Sequence, residues 1–185
     1  SQMRIGVDLD GVVADFTQGW TSQYKKDFGK DILEKDITEW GLSKPLTHFE
    51  EEIDFWNWAK DFNGSSIFRN LRTYDNAVEV LVELSIAGHE IVILSSKPWW
   101  SIHDTLIWLG ENKIPSKEIH FIEDKWNINC DVYIDDAPHQ LENFVKHVPE
   151  KLILRFVRPY NRPVSGTKDL NDWMELSSLL ESYNL

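Results

Sequence analysis

The sequence predicts an α/β fold: a parallel sheet covered by helices, with a small helical cap inserted just after the first strand. Short apolar runs rich in β-branched residues alternate with stretches of helical spacing along most of the chain. Residues 15 to about 74 break that alternation with a long segment rich in aromatics and charge. The 185 residues, 42% of them hydrophobic, suffice for one core domain and a modest insertion.

The first strand is read at Arg4 to Leu9, where Ile5, Val7 and Leu9 are apolar, and the chain turns at Asp10-Gly11. Ser1 and Gln2 precede Met3 and are left out of the reading. In the insertion, Phe16, Trp20, Tyr24 and Phe28 recur every fourth residue and form one aromatic stripe on a helix. Such a stripe ordinarily packs a core, here that of the cap itself, and Phe16 is the ring nearest Asp8 in sequence. Glu50-Glu51-Glu52 reads as a solvated helix face. Ala77, Val80, Leu81, Leu84 and Ala87 keep helical spacing, and Gly88 stands where a helix-ending glycine would.

Further strands are expected at Glu90 to Leu94, His120 to Ile122, Asp131 to Ile134 and Leu152 to Phe156. Helices are expected at His103 to Asn112, with Ile107 and Trp108 inward, around Leu141, Phe144 and Val145, and around Leu176, Leu179 and Leu180. This order assigns 3–14 and 75–185 to the core and 15–74 to the cap. In such sheets ligands sit beyond the carboxyl ends of the strands.

Three polar clusters fall at those ends: Asp8-Leu9-Asp10-Gly11, Ser95-Ser96, and Asp135-Asp136. Lys125 lies in the loop ahead of the fourth strand. On an extended strand Asp8 and Asp10 would point to the same side. Carboxylates gathered at one spot repel, and a hard divalent cation relieves this; Mg²⁺ suits one or two carboxylates plus a substrate phosphate. A carboxylate can also attack phosphorus, and a second one can protonate the leaving oxygen and later activate water. Each signal has an ordinary reading by itself. Asp-x-Asp and Ser-Ser are common in turns, Asp136 before Ala137-Pro138 would suit a helix start, and a lone lysine faces solvent. Their conjunction, in this order and each at a strand edge, favours chemistry.

The formal net charge of −12 speaks against duplex nucleic acid as a partner, since no basic face can replace counterions. A bound metal or local cations still allow a small anionic substrate. The single cysteine, Cys130, permits no intrachain disulfide and reads as a small core residue beside a strand. No apolar run approaches the roughly 20 residues that span a bilayer, so no membrane is expected. The opening residues do not read as a secretory leader, and a cytoplasmic location is expected. Homodimerisation is left open. Trp99 and Trp100 follow Ser95-Ser96 and could line a pocket mouth, and Lys97 could touch a phosphate. His48, His103 and His139 lack metal-ligand spacing, and His139 is placed in the first turn of a helix. The basic stretch Arg155 to Arg162 is read as a loop hugging the core, with no chemistry.

With these residues in view, the sequence resembles the haloacid dehalogenase superfamily of phosphohydrolases. Asp8-Leu9-Asp10-Gly11-Val12-Val13 looks like its first motif, Ser95 its second, Lys125 its third and Asp135-Asp136 its fourth. The resemblance implies a Rossmann-like core, with Asp8 as nucleophile and Asp10 as general acid/base. It further implies Mg²⁺ on Asp8, the Asp10 carbonyl and Asp135, and the phosphoryl group on Ser95, Ser96 and Lys125. Asp136 would stand behind the metal or bind it weakly. Asp10 favours a phosphatase over a dehalogenase. Within the superfamily the chain resembles the 5′(3′)-deoxyribonucleotidases, through Ala14-Asp15-Phe16 after the first motif, Glu123-Asp124-Lys125 and Tyr133-Ile134-Asp135-Asp136-Ala137-Pro138. That implies a nucleoside monophosphate as substrate, with Phe16, Lys97 and Trp99 as pocket candidates. A phosphatase for another small metabolite such as a sugar phosphate, a polynucleotide end phosphatase and a non-catalytic metal-binding module are the competing readings. The acidic charge weighs against the second, and Asp10 against the third.

Overall fold

The computed structural model describes residues 2–41 and 46–184. Six strands form one sheet in the order β3-β2-β1-β4-β5-β6: β1 (Arg4–Val7), β2 (Glu90–Ser95), β3 (Glu118–Phe121), β4 (Val132–Asp135), β5 (Leu152–Phe156) and β6 (Lys168–Leu170). Every neighbouring pair is parallel. The chain runs outward from β1 to β3, then restarts at β4 on the other side of β1. The switch point therefore lies between β1 and β4, where open α/β sheets bind ligands.

Burial on both faces explains the strand composition. On one face Ile5, Val7, Ile91, Ile93, Val132, Ile134 and Leu154 join the larger core. That core also takes in Ala77, Val80, Leu81 and Leu84 of α3 (Ala77–Ile86) and Leu176 and Leu180 of α6 (Leu176–Ser182). On the other face Val92, Leu94, Tyr133 and Ile153 pack with Leu141 and Phe144 of α5 (Pro138–His147). Gly6 is on this second face, and a Cβ there would lie 2.8 Å from Leu94 Cδ1 and 3.1 Å from Cys130 Sγ. Close packing at that point excludes a side chain.

The structure moves several expected boundaries. β1 stops at Val7, before Leu9, because the Leu9 carbonyl accepts from the N–H groups of Val12, Val13 and Ala14 and curls the chain. Asp8 and Asp10 are thus not strand residues facing one side. β3 starts earlier than expected, because an edge strand tolerates Glu118 beside solvent. β4 includes Asp135, opposite Arg155 of β5. The three-residue β6 was not foreseen; it carries no apolar run, and two of its residues are exposed. In α4 (Ile102–Glu111) Trp108 is buried as expected, but its buried partners are Leu109, Thr105 and Asp104, while Ile107 is only half-buried.

The insertion follows β1. Among its described residues the α-helices are α1 (Phe16–Phe28) and α2 (Glu52–Ala59), and the rest of those residues form turns, loops and short 3-10 segments, so they are less helical than their pattern suggested. Residues 42–45 of the expected cap lie outside the described residues. Entry and exit strands touch: Asp15 N–H donates to Arg72 O and Tyr74 N–H to Val13 O, both at 2.9 Å. Asp15 also caps α1 through Gln18 N–H and pairs with Arg72 at 2.9 Å. Of the predicted stripe, Trp20 and Tyr24 are buried among Phe49, Phe55 and Trp58, Phe28 is 45% exposed, and Phe16 turns to the cleft described below.

Cys130 is buried against the second face of the sheet, and burial pushes its thiol up to about 12. The native protein should therefore resist iodoacetamide at pH 8 and react fully once denatured. Rapid labelling of the native form, followed by mass spectrometry, would contradict the packing around Gly6.

Candidate active site

The carboxyl ends of β1, β2 and β4 bring the sequence clusters together. Asp8 follows β1, Ser95 ends β2 and Asp135 ends β4. Lys125, on a 3-10 turn ahead of β4, is 2% exposed; its Nζ donates to Asp8 Oδ1 at 2.9 Å and to Asp135 Oδ2 at 2.7 Å. Asp136 completes the group: Asp8, Asp135 and Asp136 each offer a carboxylate oxygen within 4.8 Å of the others. The Asp-Asp pair does not cap α5 through Asp136, as a structural reading would have it. The N-cap is Ala137, Pro138 opens the helix, and Asp135 Oδ1 accepts from the N–H groups of Asp136 and Ala137.

Burial and like charge set the electrostatics. Burial, together with the neighbouring Asp135 charge, raises the Asp8 carboxyl to about 6 against the pull of Lys125. Burial, then Asp8 and Asp135, also pushes Asp136 well above the carboxylate range. Burial alone would lower Lys125, but the attraction of Asp135 and Asp8 outweighs it, so the ammonium stays charged. One cation thus faces three carboxylates. Buried polar atoms are normally paired. Here Asp10 Oδ1, Ser95 Oγ and Asp136 Oδ1 are buried without a hydrogen-bond partner, all at the same strand ends. An oxygen-rich, electron-rich cluster with unpaired acceptors fits a hard divalent cation such as Mg²⁺.

Asp10 stands apart from that cluster, on the side of the cleft. Its Oδ2 pairs with Lys97 Nζ at 3.0 Å. Lys97 also donates to Thr105 Oγ1 at 3.2 Å and lies 4.5 Å over the Phe68 ring. Ser96 Oγ donates to the Glu123 carboxylate. Ser96, Lys97 and Asp10 line a cleft of about 190 Å³ between the strand ends and the insertion. One wall is a set of near-parallel rings: Phe16 and Phe68 are 5.4 Å apart at 9°, Trp56 and Phe68 6.1 Å apart at 16°. Trp99 does not belong to it. It is 83% exposed, because the 3-10 turn Trp99–Ser101 points it outward, while Trp100 packs behind the wall on Trp56 and Phe68.

Sequence reasoning missed the loop after β5. Arg158 Nε donates to Gly11 O at 2.8 Å, with its guanidinium 3.9 Å from the Tyr74 ring centroid, and the Tyr160 hydroxyl donates to Asp136 Oδ2. The Arg155–Arg162 stretch therefore does more than hug the core. The available signal was its position at a strand's carboxyl end. Among the histidines, His139 lies in the first turn of α5, its ring 5.5 Å from Trp40.

The fold and this acidic site define a phosphohydrolase of the haloacid dehalogenase type, a phosphoric monoester hydrolase. Residues 2–183 match the family described as 5′ nucleotidase, deoxy (pyrimidine), cytosolic type C protein, and the chain belongs to that family. A 5′(3′)-deoxyribonucleotidase of Clostridium acetobutylicum is 27% identical over 189 residues, covering 96% of this chain and 94% of that protein. The Bacillus subtilis 5′(3′)-deoxyribonucleotidase is 26% identical over 183 residues, covering 95% and 97%. Solved structures share the fold. A haloacid dehalogenase-like hydrolase of Streptococcus pneumoniae superposes with a TM-score of 0.64 at 12% identity, covering 97% of this chain and 98% of that one. A hydrolase of the same superfamily from Deinococcus radiodurans, solved with bound phosphate and sodium, gives 0.63 at 15%, covering 100% and 97%. Among the described residues, no helix is long and apolar enough to cross a membrane.

Gly11 has φ +87°, and a Cβ there would lie 1.9 Å from Asp136 Oδ2. Gly11→Ala should therefore displace the Asp136 carboxylate and cost about 100-fold in turnover, the penalty of a misplacement of about 1 Å. A phosphatase assay with full activity in this variant would show that the loop tolerates a side chain.

Proposed function

We propose that the protein is a Mg²⁺-dependent phosphatase that hydrolyses (deoxy)nucleoside monophosphates through an aspartyl-phosphate on Asp8. The observation that carries this reading is the buried Asp8 carboxylate, gripped by Lys125 in one cluster with Asp135 and Asp136, the last of which lines an aromatic-walled cleft together with Asp10.

Asp8 attacks phosphorus, the ester P–O bond breaks, and the leaving oxygen takes a proton from Asp10. Asp10 then takes a proton from water, whose oxygen attacks the acyl phosphate. Inorganic phosphate leaves and Asp8 is restored. Lys125 orients Asp8 and offsets negative charge on the phosphoryl oxygens, with the unpaired Ser95 hydroxyl as a donor, while Ser96 would first have to release the Glu123 carboxylate. Asp8, the Asp10 carbonyl and Asp135, with Asp136 nearby, would hold Mg²⁺, which would supply further charge neutralisation there. Lys97 holds Asp10 at the cleft wall and is the nearest lining cation to an entering phosphate.

The rings of Phe16, Trp56 and Phe68 suit a flat base, which stacks for about 1–3 kcal/mol in single-strand binders. Membership of a deoxynucleotidase family, with two relatives named 5′(3′)-deoxyribonucleotidase, supports the same substrate class. In this reading residues 15–74 form a cap that closes over the phosphoryl group and keeps water out until the leaving group departs. The location that goes with this activity is the cytoplasm.

Phosphate release from deoxynucleoside, ribonucleoside and sugar monophosphates, with Mg²⁺ and with chelator, tests this reading. Release should be strongest on deoxynucleotides, lost with chelator and absent in Asp8→Asn. A preference for sugar phosphates would keep Asp8 and change the substrate class; release by Asp8→Asn would remove the covalent step.

A further inference from the structure

Tyr160 belongs to none of the four phosphatase motifs, yet it reaches the acidic cluster. Its hydroxyl donates to Asp136 Oδ2, while Asp136 Oδ1 is buried without a partner. Asp136 is 1% exposed and offers a ligand atom within 4.8 Å of those from Asp8 and Asp135. One oxygen of this carboxylate is therefore committed to a neutral donor, and the carboxylate also meets Asp8, beside Asp135.

The loop bearing Tyr160 is fastened on several sides. Asn161 Nδ2 donates to Asp136 O at 2.8 Å and to Phe156 O at 2.9 Å. Asn161 Oδ1 accepts from Arg155 Nη1 at 2.6 Å and from Arg158 N–H at 3.1 Å. Arg155 is itself held by both oxygens of Asp169 at 2.8 Å. The Tyr160 ring lies 5.5 Å from Trp40 of the cap, and Arg162 donates to Thr38 O at 3.1 Å. Gly11 makes room for the pair, since a Cβ there would lie 2.5 Å from the Tyr160 hydroxyl.

We propose that Tyr160 is a positioning residue: its hydroxyl fixes the Asp136 carboxylate in the orientation that serves cation binding at the Asp8–Asp135–Asp136 cluster. This rests on the metal-dependent reading of the site. Carboxylates that hold metals are themselves held by hydrogen bonds, and losing such a partner typically weakens metal binding about 10–100-fold.

The test is calorimetric titration of the whole chain with MgCl₂, for wild type, Tyr160→Phe, Asp136→Asn and the double variant. Tyr160→Phe keeps the ring against Trp40 and removes only the hydroxyl. It should weaken Mg²⁺ binding about 10-fold, while unfolding in EDTA stays a single cooperative transition. In the Asp136→Asn background it should add nothing, because the two act as one unit. Equal affinity of Tyr160→Phe and wild type, or fully additive losses in the double variant, would overturn the proposal alone. Absence of Mg²⁺ uptake by wild type would instead bring down the metal reading, and the proposal with it.

Discussion

Three carboxylates are buried at the meeting point of β1 and β4, and a single buried ammonium stands against them. Two unit charges about 4 Å apart interact by about 4 kcal/mol at an effective dielectric near 20. Such a group persists only if every member is held in place by something else. Lys125 supplies the attraction, and the N–H groups of Asp136 and Ala137 satisfy Asp135. The cluster stays rich in oxygen acceptors, which is the chemistry a hard cation requires. A parallel sheet is the natural host, since its strand ends deliver side chains from distant parts of the chain to one edge.

The loop after β1 is tied down from outside its own sequence. Trp173 Nε1 donates to Val12 O at 2.9 Å, and Arg158 Nε to Gly11 O at 2.8 Å. These contacts hold a tight turn whose own hydrogen bonds converge on Leu9 O. Preorganisation of this kind holds Asp8 in place without further rearrangement of the loop.

The insertion after β1 is joined to the rest of the chain by short, polar, well-paired connections. Asp15 and Arg72 lock the crossing point, Trp108 Nε1 donates to Leu71 O at 2.7 Å, and Arg69 binds both oxygens of Glu111 at 2.8 Å. Aromatic rings pack within the insertion, Trp20 on Phe55 and Tyr24 on Trp58, beside the wall of the cleft. The same wall leans on the core through Lys97 over Phe68.

Local sequence determined the alternation of strand and helix, the placement of Asp8, Ser95 and Asp135 at strand ends, and that of Lys125 in the loop ahead of β4. Apolar, β-branched runs buried on both faces have few other solutions, and polar residues one step beyond them have nowhere else to go. Tertiary structure decided what periodicity cannot encode. Asp10 turns to Lys97 because the Leu9 carbonyl ends the strand early, and Trp99 faces solvent because a 3-10 turn follows β2. β6 exists only because β5 offers it an edge. Tyr160 reaches Asp136, 24 residues away in sequence, because Asn161 and Arg155 pin its loop across the sheet end. Those contacts depend on which loops the strand order brings side by side, and no window of the sequence contains that information.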